Sequence, residues 1–321
     1  MDKKTPINPS QTPTVLLPGG GGTAAMCALK SLRMANFQGK IVTTDADPLS
    51  PAFFLADAYA TLPPISDPRF FDCALEVIER EQVSLILPTS GFDIVVYSQH
   101  KAELAHRGVT VIVSDYPALD NCIDKWKFYQ LTRERFPLPR TTLDPRLGVE
   151  FPCFVKPIRG KGSRGIALCR TEEELARQLE SHQDLLIQEY LPGEEYSIDV
   201  LSDLQGNPLV AVPRVRLATK EGISVKGRVF HDPYIQQVCM DLARFLSLKG
   251  PSCIQMRRAA TGEPKFLEVN PRMGGGTIFA TLAGINFAQL QITLAAGNTV
   301  EIPPFRDLTV LRYYEEVVLE G

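Results

Sequence analysis

Apolar positions recur at two different periods along this chain, and the changes of period divide it. Residues 14–19, TVLLPG, form a short continuous apolar run, and AAMCALKSLRMA after it spaces its apolar residues three and four apart. The first pattern predicts a buried strand and the second an amphipathic helix, joined by a glycine turn. KIVTTDAD, VSLILPTS and VTVIVSD repeat the strand pattern, while DPRFFDCALEVIEREQ is helical with Asp67 as its N-cap candidate. Alternating β and α elements over 13–118 imply a doubly wound parallel sheet, a Rossmann-like α/β domain. Residues 1–12 are polar and proline-bearing, and are expected to form a disordered tail.

From 119 the pattern changes. ALDNCIDKWKFYQLTRERF reads as one charged amphipathic helix ended by PLPR, with Lys125 near its start. FVKP, ending an apolar run at Lys156, and IALCR are strands on either side of a loop in which Gly160, Gly162 and Gly165 alternate with Lys161, Ser163 and Arg164. Such a loop, with free amides and two cations, can close over phosphate oxygens; a hairpin with solvated basic residues is the plainer alternative. It is not a P-loop, because the GK[ST] ending and the following helix are absent. Thr171 and Glu174 form a capping box for the next helix. DLLIQEY runs to Gln188 and Glu189, breaks at Leu191–Pro192–Gly193 and resumes past Glu195. Backbone exposed at a break of this kind can bond a purine edge, and a carboxylate beyond it can reach ribose hydroxyls, although for this stretch alone a Pro-Gly bend is the better reading.

PLVAVPRVRLATKEGISVKGRV alternates as a strand and carries Arg214, Arg216, Lys220, Lys226 and Arg228, which a solvated face would also explain. HDPYIQQVCMDLARFLSLKG is an amphipathic helix with Gly250 as its expected C-cap. SCIQMRRAA is a strand paired through Thr261–Gly262–Glu263 with KFLEVN, which sets Gln255 beside Glu268. In FLEVNPRMGGG, Glu268 and Asn270 are two apart, so on a strand both leave the same face. Hard oxygen ligands of this kind suit Mg2+. Arg272 continues the alternation, and Gly274–Gly276 would let backbone approach a ligand closely. An edge strand running into a glycine turn is the alternative. FAQLQITLAAG is helical, and the element after Pro303 is not assigned by its pattern.

Composition narrows the function classes. Of 321 residues 44% are hydrophobic, and the formal charge of −3 gives no bulk electrostatic case for nucleic acid or an anionic membrane. Seven cysteines are scattered without a CxxC pair, which favours a reducing, cytoplasmic setting over a disulfide or thiolate-metal framework. No apolar run approaches membrane-spanning length, and the start lacks a signal-peptide core. Gly19, Gly21 and Ala24 satisfy GxGxxA, and Asp45 and Asp47 end the next strand, so a nicotinamide site is weighed. Against it, the motif is weak alone and nothing downstream supplies a hydride-transfer constellation. Tight strand-to-helix packing and another small-molecule site remain as readings of that turn. Pro88 and Thr89 stand at a strand's carboxyl end, and Asp93 beyond them reads as a solvated acid in preference to a crevice residue.

The order of Lys125, FVKP with its glycine loop, QEYLPGEEYS, Gln255 and FLEVNPR resembles the ATP-grasp superfamily, nearest its carbamoyl-phosphate synthetase large-subunit-like branch. The resemblance covers almost the whole chain. It implies an ATP-grasp fold of α/β and α+β character after the Rossmann-like domain, with a linker helix and lid over 119–200 and a metal-bearing subdomain over 201–321. Lys125 and Lys156 would touch nucleotide phosphates, and Gly160–Gly165, with Lys161, Gly162 and Ser163, would form the lid. Gln188, Glu189 and Leu191 would line the adenine, and Glu195 would hold the ribose. Gln255, Glu268 and Asn270 would hold Mg2+, two ions with Mn2+ as a substitute. Arg272, with Arg216 as a further candidate, would face the transferred phosphate. The implied activity is ADP-forming: a small carboxylate, amino acids among the candidates, becomes an acyl phosphate that an amine then captures. A full carbamoyl-phosphate synthetase carries two such halves, and this chain holds one. Bicarbonate activation, a non-catalytic ATP sensor and a homodimer stay open.

Overall fold

The computed structural model describes residues 12–160 and 165–319. Lys161, Gly162, Ser163 and Arg164 of the expected phosphate loop, and residues 1–11 of the expected tail, lie outside the described residues.

The first domain runs β1 (Val15–Pro18), α1 (Thr23–Met34), β2 (Ile41–Asp45), β3 (Ala58–Thr61), α2 (Phe70–Arg80), β4 (Leu85–Ile86), α3 (Asp93–Gln99), α4 (Lys101–His106) and β5 (Thr110–Val111). Its strands are parallel in the order β3-β2-β1-β4-β5, the doubly wound sheet expected. Both faces are covered: Leu16, Val42 and Ile86 enter one core, while Val15, Leu17 and Ile41 enter another. That is why these strands read as unbroken apolar runs instead of alternating ones. Asp67 does not cap α2. Its carboxylate accepts the Arg69 amide in a turn one residue earlier, and Arg69 is the cap.

The single helix expected from 119 is two, α5 (Tyr116–Ile123) and α6 (Lys125–Thr132). Asp124 breaks it: its backbone is extended, and its carboxylate accepts the Trp126 and Lys127 amides as the N-cap of α6. Lys125 thereby becomes the first residue of a helix, and it is buried.

An antiparallel four-stranded sheet follows, from β6 (Thr141–Thr142), β7 (Cys153–Pro157), β8 (Ala167–Cys169) and β9 (Leu185–Glu189), in the order β6-β9-β7-β8. The glycine loop joins β7 to β8. Helix α7 (Glu172–Ser181) covers one face, Leu175 packing against Cys153, Val155 and Ile187. Thr171 accepts the Glu174 amide as its cap.

β10 (Glu195–Ser202), β11 (Pro208–Lys220), β12 (Ile223–Val229), β13 (Gly250–Arg258), β14 (Pro264–Asn270) and β15 (Leu308–Leu311) form an antiparallel six-stranded sheet, in the order β14-β13-β10-β11-β12-β15. The break at Leu191–Gly193 is thus where the chain crosses from one sheet to the next. The run 208–229 is a hairpin and not one strand, turning at Glu221 and Gly222, both with positive φ. Helix α8 (Pro233–Phe245) ends before Gly250, with Ser247 taking the left-handed conformation; Gly250 instead opens β13, close against Ile112. Helices α9 (Ile278–Ala283) and α10 (Phe287–Ala295) complete the described elements. Among the described residues no helix is long and apolar enough to cross a membrane.

Period-two alternation gives the six-stranded sheet two unlike faces. Tyr196, Ile198, Val200, Ile254 and Met256 pack beneath α8. On the other face Leu201, Val210 and Val212 join a core shared with Leu17 and Leu32 of the first domain and Phe279 of α9. Farther along that face the residues turn polar, and there the candidate site lies.

Candidate functional site

At one corner of the polar face, Gln255 stands directly across from Glu268, and Cys253 across from Asn270. The pairing expected from sequence is therefore present in register. Asn270 Nδ2 donates to Glu268 Oε1 at 3.0 Å. Asn270 Oδ1, Glu268 Oε2 and the Gln255 amide oxygen remain as a donor set of oxygens alone, which fits a hard divalent cation that takes its other positions from water or phosphate. Among the described residues no three His, Cys, Asp or Glu gather as a metal cluster. A softer metal has no ligands here.

Two lysines approach this corner from the other sheet and from α6. Lys156, 6% exposed, donates to the Leu267 carbonyl of β14 at 3.0 Å. Lys125, 9% exposed, donates to the Gly160 carbonyl at 3.1 Å, and its amide bonds Ile158. Burial pulls the Lys156 ammonium down to about 8, against the opposing field of Glu268, and lowers Lys125 as well. Neither has a carboxylate within ion-pair distance among the described residues. Buried cations held only by carbonyls lack the counter-charge that offsets desolvation, so an anion is favoured between them.

The sheet crossing is more engaged than sequence reading anticipated. Gln188 shares a face with Lys156, but its amide donates to Thr141 Oγ1 at 2.9 Å. Glu189 is ion-paired with Lys265 at 2.9 Å, and Leu191 is buried. Glu195 pairs with Arg216, which also bonds the Gly222 carbonyl, and faces Arg257 at 3.8 Å. Arg216 is thus tied to the expected ribose carboxylate. Gly160 supplies its carbonyl to Lys125, and Gly165 uses its φ of +69° where a β-carbon would meet Pro157 at 2.9 Å.

Arg272, partly buried, donates to the Met273 carbonyl at 2.8 Å. The glycines after it serve protein packing, not the ligand contact expected. A β-carbon would stand 2.9 Å from Cys253 Sγ at Gly274, 2.3 Å from Thr23 Oγ1 at Gly275 and 2.8 Å from the Arg214 guanidinium at Gly276. Sequence reading missed Asp199, which pairs with Arg214 and accepts Thr277 Oγ1 at 2.8 Å, while Thr277 accepts the Gly274 amide. Its one signal was an acid at an alternating position within the apolar YSIDVL.

Residues 181–317 match the family model described as ATP-grasp in the biosynthetic pathway with Ter operon, and residues 16–112 match the PylC-like N-terminal domain. The ATP-grasp match thus covers the C-terminal part of the chain. The carbamoyl phosphate synthase arginine-specific large chain of Halalkalibacterium halodurans is 26% identical over 54% of this chain and 17% of that one. The D-aspartate ligase of Enterococcus faecium is 26% identical over 70% of this chain and 62% of that one. The chain thus spans less than two thirds of either relative. The biotin carboxylase domain of Hydrogenobacter thermophilus 2-oxoglutarate carboxylase, solved as a dimer with MgADP and bicarbonate, shares the fold at a TM-score of 0.74 and 18% identity, over 90% of this chain and 71% of that one. Biotin carboxylase from Campylobacter jejuni gives 0.71 and 16%, over 91% and 72%.

The first glycine turn lies in the separate match over residues 16–112. Gly21 donates its amide to Asp45 Oδ2 at 2.7 Å, and a β-carbon at Gly20 would lie 2.5 Å from Thr43 Oγ1. Asp45 occupies the place where a dinucleotide's pyrophosphate would accept that amide, and its charge repels one. The turn is thus closed from within the protein by Asp45 and Thr43. Asp93 departs from expectation in the opposite sense: it is 7% exposed, not solvated.

Proposed function

We propose that the protein is an ATP- and Mg2+-dependent, ADP-forming ligase that activates a small carboxylate as an acyl phosphate and passes the acyl group to an amine. The carrying observation is the buried pair Lys125 and Lys156, without ion-paired carboxylates among the described residues, beside the Gln255, Glu268 and Asn270 corner. A carboxylate attacking a triphosphate is repelled by it, so the barrier is chiefly electrostatic and positional. Lys125 and Lys156 bind phosphate oxygens in the cleft between the two sheets. Arg272 neutralises charge as the carboxylate oxygen forms its bond to the γ-phosphorus and the bond to ADP breaks. Backbone at Glu189–Leu191 reads the adenine edge, with Gln188 behind it, and Glu195, oriented by Arg216, takes the ribose. Gln255, Glu268 and Asn270 would hold Mg2+, or Mn2+ in its place, whose chemistry is to neutralise the triphosphate. The amine nitrogen then attacks the acyl carbon, phosphate leaves, and the amine's proton passes to solvent or phosphate. No side-chain nucleophile is needed.

The proposal extends to organisation. The lid falls within 119–200 and the metal-bearing part within 201–321, acting on small molecules in the cytoplasm; a homodimer is left to measurement.

The test is an ADP-release screen over carboxylic acids paired with amines, with bicarbonate plus ammonia as one arm. ADP release that requires both partners, with 18O from the acid appearing in phosphate, is expected. Release in the bicarbonate arm alone would redirect the reading to bicarbonate activation, and acid-independent hydrolysis or no release would overturn it.

A further inference from the structure

The four-stranded sheet ends at β8, whose outer edge pairs with no strand among the described residues. Between that edge and α7 lies an open groove of about 370 Å3, lined by Leu168, Cys169 and Arg170 of the strand side and by Glu174, Arg177 and Ser181 of the helix. Residues 174, 177 and 181 recur at helical spacing and so form one flank of α7. A groove bounded by a free strand edge and a helix flank accepts an extended segment, which adds to the sheet through main-chain hydrogen bonds. Its charge selects among such segments. The groove's acid, Glu174, already accepts the Arg170 amide at 2.7 Å. Arg177 Nε donates to the Glu173 carbonyl at 3.3 Å, and neither Arg170 nor Arg177 forms an ion pair among the described residues. An extended segment with acidic residues is therefore the complementary occupant.

The chain carries a segment of that kind. Residues 313–319, YYEEVVL, follow β15 outside any helix or strand, with Tyr313 85% and Val318 83% exposed. Aromatic and β-branched residues favour pairing in a sheet, and Glu315 and Glu316 supply the charge that Arg170 and Arg177 lack. The segment's bonds within its own chain go elsewhere: Arg312 donates its amide to the Val225 carbonyl, Tyr314 accepts Lys220 at 2.5 Å and Glu315 pairs with Lys30 at 3.0 Å. The last of these is an exposed pair, of the kind that contributes little. We propose that residues 313–319 of one copy dock in the β8–α7 groove of a second copy, each giving its segment to the other in a two-fold exchange. With antiparallel pairing, Val317, Val318 and Leu319 stand opposite Cys169, Leu168 and Ala167, which sets Glu316 directly across from Arg170. Because β7 and β8 carry the glycine loop between them, the exchange also braces that hairpin. The proposal is independent of the ligase reading.

The test uses the full chain. Sedimentation over a concentration series should show a monomer–dimer equilibrium. Glu316→Arg and Arg170→Glu should each raise the dimer Kd about 10-fold or more, since each sets like charges opposite one another. The chain carrying both substitutions restores an opposite pair and should return to within about threefold of the parent Kd. Both positions are exposed, so neither change disturbs the core. Hydrogen exchange should show the amides of 167–169 and 316–319 gaining protection together as concentration rises. A monomer at every concentration would overturn the proposal, as would a dimer whose Kd ignores both reversals or is not rescued by combining them. Protection of both stretches without regard to concentration, which marks docking within one chain, would overturn it too. So would protection of 167–169 alone, which marks a different occupant.

Discussion

Two pairs of cations withdrawn from solvent are treated oppositely by the fold. Arg214 and Arg216, on β11, are each neutralised by a carboxylate of β10, Asp199 and Glu195. Lys125 and Lys156 are similarly withdrawn from solvent, yet among the described residues they bond backbone carbonyls and no carboxylate. The paired arginines are architecture: Arg214 and Asp199 hold Thr277 and lie beneath Gly276, which places the loop that carries Arg272. The lysines feel the field of Glu268 but form no ion pair among the described residues, as suits a preorganised anion site. Burial is thus common to both pairs, and the presence of a counter-charge separates binding from structure.

Four measurements would break or sharpen that contrast. The largest effect belongs to Lys156→Met and Glu268→Ala, each expected to reduce ADP-forming turnover by about 10^3-fold or more, because both act where charge develops. In Glu268→Ala nucleotide binding, followed by calorimetry, should weaken far less than turnover. Lys156→Met should also raise the melting temperature at pH 7, since it removes a buried charge without a counter-ion; a lower melting temperature would make the lysine structural. Arg214→Met should do the reverse, destabilising by roughly 3–5 kcal/mol in denaturant titration because Asp199 is left buried and unpaired. An unchanged midpoint would remove the distinction between the pairs.

A smaller loss, about 1–2 kcal/mol, is expected for Thr277→Val, which takes a hydrogen bond from Asp199 and leaves the Gly274 amide without its acceptor. Thr277→Ser should restore most of it. The smallest effect is protonic. With Lys156 lowered to about 8 in the free protein, ATP should bind more weakly as pH rises through that value, and binding near pH 8–9 should take up a fraction of a proton. Calorimetry in two buffers of different ionisation enthalpy reads it. The sign for stability follows from the same shift. Between about 8 and the ordinary 10.5 the unfolded chain binds more protons than the folded one, so this group's contribution to stability increases with pH across that window and is unfavourable below it.

The fold was legible wherever a pattern was local. The apolar runs of β1, β2 and β4, the helix α1, the capping of α7 by Thr171, and the β13–β14 pairing through Gly262 each depend on a handful of adjacent residues. Reading failed where a side chain turned back on its own backbone. Asp124 divides α5 from α6 by capping the second helix, although the apolar spacing runs through it unchanged. Asp45 fills the glycine turn that spacing alone presents as a dinucleotide site. Asp67 and Gly250 carry the right residue types for caps and use them one element away.

Within the candidate site the division has a physical cause. Two-residue spacing on a strand is enough to put Glu268 and Asn270 on one face, and the turn at Thr261–Glu263 sets Gln255 across from them, because side chains alternate on a pleated strand whatever surrounds it. What a charge does there depends on groups distant along the chain, and electrostatic energy depends on distance and burial, not on sequence order. Only the packed structure sets Lys156 of one sheet against Leu267 of the other, pairs Arg216 with Glu195 and buries Asp93 against Gly19. The residues of the site were present in the sequence; which of their charges are already neutralised was decided by the tertiary fold.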